Sequence, residues 1–192
     1  MVLIHKVDTL NKSKKQQEIR QFWKKIAQVS DRNVVEHFGT SIWDETLYFA
    51  WSKILRLLIP NVAKLNSLLS FIARHVRSDE IILIEKFTYL IIGSYFEDGG
   101  NESNTKKRFE QFSTFLKKFK ISCTQAYCTS IQFLEFKNRN FHLLLKEFTP
   151  STYLVIISYG KRLNSALIKA NIESLHEYLQ KNKKQFDYIS LL

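Results

Sequence analysis

The chain has 192 residues, 45% of them hydrophobic, with only 5 Gly and 2 Pro. That composition excludes a disordered or low-complexity chain and supplies a core for one or two domains. Lys and Arg number 29 against 18 Asp and Glu, a formal charge of +11, which opens nucleic acid, an anionic membrane or an acidic protein as partners.

Cys123 and Cys128 read as core residues in a reducing compartment. The histidines (His5, His37, His75, His142, His176) make no pair at ligand spacing on one helix face, so no metal site is expected. No apolar run approaches the roughly 18–20 residues of a membrane span. Neither a signal peptide nor a lipidation signal is read, so no intrinsic membrane anchor is expected.

In chain order, the apolar run 1–4 reads as the tail of a buried parallel strand. His5-Lys6-Val7-Asp8 follows at its carboxyl end, where open α/β sheets place ligand sites. Residues 11–27 read as a surface helix with Ile19, Phe22, Trp23 and Ile26 on its apolar face and Lys12, Lys14, Lys15, Lys24 and Lys25 on a basic one, which either faces phosphate or, as such runs more often do, solvent. A second strand over 34–38 leads into Thr40-Ser41-Ile42-Trp43-Asp44-Glu45-Thr46-Leu47-Tyr48. Within it, Ser41 and Asp44 fit a helix start, with the Ser41 hydroxyl as cap and Asp44 and Glu45 at the positive end of the dipole. The helix that follows carries Leu47, Ala50, Trp51, Ile54 and Leu58 and stops at Pro60. Residues 1–60 thus read as a fragment of a doubly wound α/β fold.

Residues 61–192 read as a separate α+β domain. Asn61 is expected to cap a helix carrying Val62, Leu65, Leu69, Ile72 and Val76. Strands over 80–85 and 89–93 form a hairpin, and Asp98-Gly99-Gly100-Asn101 with Ser103-Asn104 is a loop. A helix over 106–119 has Phe109, Phe112, Leu116 and Phe119 as its stripe and Lys107, Arg108, Lys117, Lys118 and Lys120 outside. Three strands follow at 128–136, 141–145 and 153–157, then a helix over 164–181 with Ile168, Ile172, Leu175 and Leu179 on one face. Five strands with hairpin-length links imply one antiparallel sheet flanked by helices. The aromatic residues sit at core spacing and form no stacking platform, so no direct nucleic acid partner is expected.

The first domain pairs two motifs with one chemistry. Guanine presents its N1–H and N2–H donors side by side; one carboxylate accepts both, and adenine offers no such pair. A lysine near that carboxylate lays its methylenes along the base, and a backbone N–H from a second loop bonds the base carbonyl. Lys6 and Asp8 follow the first strand, and Thr40-Ser41-Ile42 follows the second.

These residues, with Leu58-Ile59-Pro60-Asn61, resemble the Rag/Gtr small GTPases in their RagA/RagB/Gtr branch. Similar stretches recur at Glu80-Ile81-Ile82-Leu83-Ile84-Glu85, Arg108-Phe109-Glu110, Phe119-Lys120-Ile121-Ser122-Cys123 and Phe148-Thr149-Pro150-Ser151-Thr152-Tyr153. The resemblance covers nearly the whole chain. It implies a C-terminal fragment of a Ras-like G domain over 1–60 and a roadblock-type dimerisation domain over 61–192.

By the same resemblance, Lys6 and Asp8 are the guanine-specificity residues, and His5 stands where most small GTPases have Asn. Ser41 and Ile42 form the second guanine loop, Ile42 through its backbone N–H, while Trp43 and Glu45 pack and cap. The implied cofactor is GTP or GDP, met here at its guanine end, with Mg²⁺ held by a part the family places before the first strand. The sequence carries no Gly-x-x-x-x-Gly-Lys-Ser/Thr loop and no switch segment. It is therefore expected to begin inside a G domain and, alone, neither to hold nor to hydrolyse GTP. The implied partners are a RagC/RagD-like subunit in a heterodimer, a roadblock scaffold complex and TOR complex 1. The implied setting is amino-acid signalling, by a cytoplasmic protein recruited to the lysosomal or vacuolar surface. The alternative is a non-catalytic roadblock-type dimerisation or scaffold module without nucleotide binding.

Overall fold

Two adjacent parallel strands with a helical crossover make the first of two compact units, residues 1–55; the second is 56–192. The computed structural model describes residues 1–11, 13–29, 36–59, 61–97, 112, 114–123, 131–159 and 164–181. Lys12, Val34, Pro60, the loop at 98–104, residues 106–111, Cys128 and the side chains of His176 and Leu179, all named above, lie outside the described residues.

In the first unit, β1 (Val2–His5), α1 (Lys15–Val29) and β2 (His37–Thr40) precede α2 (Thr46–Leu58). The β1–β2 register runs from Val2 opposite His37 to His5 opposite Thr40. Parallel neighbours need a crossover connection, and α1 supplies it. Buried Ile19 seats α1, and the Trp23 ring stacks on His37 at a centroid distance of 4.2 Å. Phe22 is exposed instead of sharing that face, because it lies one residue, about 100°, round the helix from Trp23.

The second unit opens with α3 (Val62–Val76) and continues through β3 (Glu80–Glu85) and β4 (Ile91–Phe96). Residues 114–123 form α4. Then come β5 (Phe133–Lys137), β6 (Phe141–Thr149), β7 (Thr152–Tyr159) and α5 (Ser165–Lys181). The five strands form one sheet, ordered β4-β3-β7-β6-β5, with every neighbouring pair antiparallel. The expected α+β architecture is therefore present. β3 and β7 are covered on both faces, which is why they read as unbroken apolar runs. α3 packs on β3 and β4, α5 packs on β6, and the two helices touch, so they share one face. On the other face a cavity of about 580 Å³ lies among Ile82, Leu143 and Ile157 of the sheet and Phe112 and Phe115.

Among the boundaries and caps that differ from expectation, three have local reasons on view. β4 starts at Ile91 because the preceding turn spends residues 86–89. The Glu85 carboxylate accepts the N–H groups of Phe87 (2.9 Å) and Thr88 (2.7 Å), and Tyr89 takes φ 58°. β6 runs on to Thr149 because β7 continues to pair with it there. Asn61 does not cap α3 through its side chain; it sits at φ 58° and accepts the Leu65 N–H on its carbonyl. Asn164 does cap α5, its Oδ1 accepting the Leu167 N–H at 3.1 Å.

Candidate functional site

At the end of β1 the chain turns sharply at Lys6, whose φ 62° and ψ 34° are left-handed. For a residue with a Cβ this costs about 1–2 kcal/mol. Closure of the turn offsets the cost: the Lys6 carbonyl accepts both the Thr9 N–H (3.1 Å) and the Thr9 hydroxyl (2.7 Å). Val7 is the anchor. It is buried over Gly39 of β2, where a Cβ would meet Val7 Cγ1 at 3.2 Å and Ile19 Cδ1 at 3.0 Å. With Val7 fixed inward, Lys6 and Asp8 on either side are exposed. The Asp8 carboxylate has no hydrogen-bond partner among the described residues.

At the end of β2, Thr40 is fully buried and its hydroxyl lies 2.8 Å from His5 Nδ1 and 3.4 Å from the Ile4 carbonyl. The next residues close on themselves. The Ser41 N–H donates to Thr46 Oγ1 at 2.8 Å, and Ser41 Oγ accepts the Trp43 N–H at 3.1 Å. Asp44 Oδ1 accepts the Thr46 N–H at 2.9 Å and the Thr46 hydroxyl as well. This corrects the helix start: α2 begins at Thr46 and Asp44 serves its first turn. Ser41 is drawn into a local turn two residues long, the kind of bond that competes with capping. Trp43, expected to pack, is 81% exposed. Ile42 is turned outward, and its N–H has no partner among the described residues.

The parallel register therefore puts both loops at neighbouring strand ends, His5 opposite Thr40. The two loops carry a carboxylate (Asp8), a backbone donor without a partner among the described residues (Ile42 N–H), a lysine stem (Lys6) and an imidazole (His5). Ser41 takes a different part: buried, it holds the loop. Val7, Gly39 and Thr46 were given no role from the sequence, and Thr40 stood in the second loop motif without one of its own. Their signals were there, in the apolar residue between Lys6 and Asp8 and the Gly-Thr pair closing the second strand.

The second unit has its own exposed feature. Among the described residues β5 pairs only with β6, leaving its other side as a sheet edge. A train of rings lies there: Phe119 with Phe115 at 6.3 Å, Phe115 with Phe136 at 6.2 Å, Phe136 with Phe141 at 5.6 Å. Phe115 and Phe136 are exposed. On the opposite side of β5, Glu135 accepts from Lys137 (2.5 Å), the Ser165 hydroxyl and His142 Nε2 (2.8 Å). The Lys137 bond, then that of Ser165, hold its carboxyl down at about 2.

The family model described as the Gtr1/RagA G protein conserved region matches residues 1–116. The chain belongs to this Gtr1/RagA family. It is 34% identical over 179 residues to Ras-related GTP-binding protein B of Rattus norvegicus, which is 93% of this chain and 47% of that one. It is 32% identical over 189 residues to GTP-binding protein gtr1 of Schizosaccharomyces pombe, 98% of this chain and 61% of that one. The chain thus spans about half the length of the curated relatives it matches. Among solved structures, MglB of Myxococcus xanthus shares the fold at a TM-score of 0.51 and 13% identity, over 66% of this chain and 92% of that one.

Proposed function

We propose that the chain supplies the guanine-reading end of a Rag/Gtr-type GTP-binding protein, joined to a roadblock-type domain that pairs with a second, RagC/RagD-like subunit. One observation carries the first half: Asp8 and the Ile42 N–H, both without partners among the described residues, leave adjacent ends of two parallel strands. GTP or GDP is the cofactor, with Mg²⁺ at its phosphates; His5, Lys6, Asp8 and Ile42 address the base and Ser41 shapes their loop. The pairing half draws on the open β5 edge and the exposed Phe115 and Phe136 beside it, since such an edge favours a partner strand. The wider setting proposed with it, on the sequence resemblance alone, is docking of the heterodimer on a roadblock scaffold at the lysosomal or vacuolar surface and signalling of amino-acid supply to TOR complex 1.

The test is NMR titration of the chain with GDP and ADP at millimolar concentrations, where contact at the base registers even though the chain alone is not expected to hold the nucleotide at lower ones. GDP is expected to move the Ile42 and Asp8 amides and ADP to leave them still. In Asp8→Asn the preference is expected to pass to the xanthine nucleotide, whose C2 carbonyl accepts the new amide N–H. Equal shifts with both nucleotides would overturn the guanine assignment. A dimerisation module without nucleotide is the second reading, prompted by the β5 edge left open among the described residues. It requires that Asp8→Ala leave pairing intact and that no guanine nucleotide bind.

A further inference from the structure

We infer that the outer face of α1 docks on an anionic lipid leaflet, drawn by its lysines and seated by the side chains of Phe22 and Val29 set among them. Between Lys14 and Val29 the chain carries five cations, Lys14, Lys15, Arg20, Lys24 and Lys25, against the single acid Glu18. Lys14, Arg20, Lys24 and Lys25 are exposed and Lys15 is half-buried. None of these five side chains has a partner among the described residues. In the second unit, by contrast, Lys86, Lys137 and Lys146 each hold a carboxylate. The charge of α1 is thus left open to whatever stands outside it.

Two apolar side chains interrupt the basic face. Phe22 is 47% exposed and Val29 86%. They lie seven residues apart, two helical turns, so they fall on nearly one line along the helix, and Lys15 extends that line seven residues earlier. Lys25 stands between them, three residues after Phe22 and four before Val29, on the same side. Ile19 and Trp23 already seat α1 on its own strands, so the inner face is furnished without Phe22 and Val29.

That combination selects among polyanions. Near an anionic leaflet each Lys or Arg adds about fivefold to binding, and an apolar side chain beside it enters the acyl boundary. A nucleic acid backbone would use the charge but offer nothing to Val29. Four of the five cations are Lys, a hydrated point charge without the fork that grips one fixed phosphate, and they spread along a convex helix. Mobile headgroups conform to such a row. No single helix among the described residues is long and apolar enough to cross a membrane, so α1, with 15 residues, lies on the leaflet. Such contact is reversible and is not an anchor, since stable attachment takes a second signal.

The experiment is flotation of the 192-residue chain with vesicles of phosphatidylcholine, alone or mixed with phosphatidylserine, at low and at high salt. The chain is expected to float with the serine lipid only, and to be released as salt shortens the reach of its charges. Lys24→Glu with Lys25→Glu should weaken that binding by more than about tenfold. Lys117→Glu with Lys118→Glu, two exposed lysines of α4, makes the same change in net charge and should leave binding within about threefold. Phe22→Ser with Val29→Ser should weaken it about three- to tenfold without altering the salt dependence. Flotation with both vesicles alike, no flotation at low salt, or equal losses in the two charge variants would overturn the assignment to α1. Tighter binding to a polyuridine RNA than to the serine vesicles at the same salt would overturn the choice of lipid. Unchanged binding in Phe22→Ser with Val29→Ser would overturn the part given to the apolar pair. Should that variant lose its fold, the unsubstituted chain and the two charge variants, all altered at exposed positions, still decide the docking face.

Discussion

Leu69 of α3 lies so close over Gly93 of β4 that a Cβ at position 93 would fall 2.9 Å from Leu69 Cδ1 and 3.3 Å from Leu65 Cδ2. The glycine lets the helix settle onto the sheet where the two would otherwise be held apart. Gly93→Val is expected to destabilise the second unit by about 1–3 kcal/mol, the usual cost of overfilling a packed core. Urea denaturation monitored on the sheet reads it directly; a neutral result would mean that α3 lifts without loss.

Val7 plays the corresponding part in the first unit. Val7→Ala removes the contact over Gly39 and is expected to cost about 1–2 kcal/mol there. Hydrogen exchange of the Thr9 amide, bonded to the Lys6 carbonyl, should quicken, while amides of β3 and β7 keep their protection. Slowed or unchanged exchange at Thr9 would show that the turn holds without its anchor.

Acid should weaken the contact between β5 and α5. The hydrogen bond from Lys137, then that from Ser165, hold the Glu135 carboxyl at about 2 against an ordinary value of 4.5. With the folded value depressed, the unfolded chain binds the proton first, so the stabilisation is full above about 4.5. It is lost as the pH falls toward about 2. Stability measured across that window should fall less steeply in Glu135→Gln than in the unsubstituted chain. Equal slopes would mean that the three donors do not act on this carboxylate in solution.

Phe136→Asp places a charge on an exposed ring position of the β5 edge and is expected to weaken the proposed pairing with a second, RagC/RagD-like subunit by more than tenfold. The same substitution should leave the melting temperature of the isolated chain within a few degrees, since the ring is half in solvent. Light scattering after gel filtration of the mixed subunits provides the check, and undiminished pairing would move the interface elsewhere.

How far the sequence could be read depended on which forces shaped each part. Strands β3 and β7 were legible because burial on both faces leaves an unbroken apolar run, and α3 because Leu65, Leu69, Ile72 and Val76 recur at helical spacing and are buried. Boundaries set by side chain to backbone bonds were not legible. Nothing in the string says that Ser41 turns back on Trp43 while Asp44 receives Thr46, or that Glu85 gathers two amides and delays β4. In the candidate site, Lys6 and Asp8 were singled out by the chemistry a guanine site asks for, and Ile42 by the family resemblance. Thr40, Val7 and Gly39 act only across the β1–β2 pair, and a contact between residues more than thirty positions apart leaves no periodic trace.

The strand order has a consequence for the chain as it is made. β3 lies between β4 and β7, so its first hairpin can close early, yet its other side finds Thr152–Tyr159 only about seventy residues later. At ribosomal rates of about 5–20 residues per second, the apolar strand Glu80–Glu85 waits several seconds with one edge open. During that interval the nascent chain offers a sticky ribbon to anything nearby, and a chaperone or a partner already present at the ribosome would meet it before its own last hairpin does.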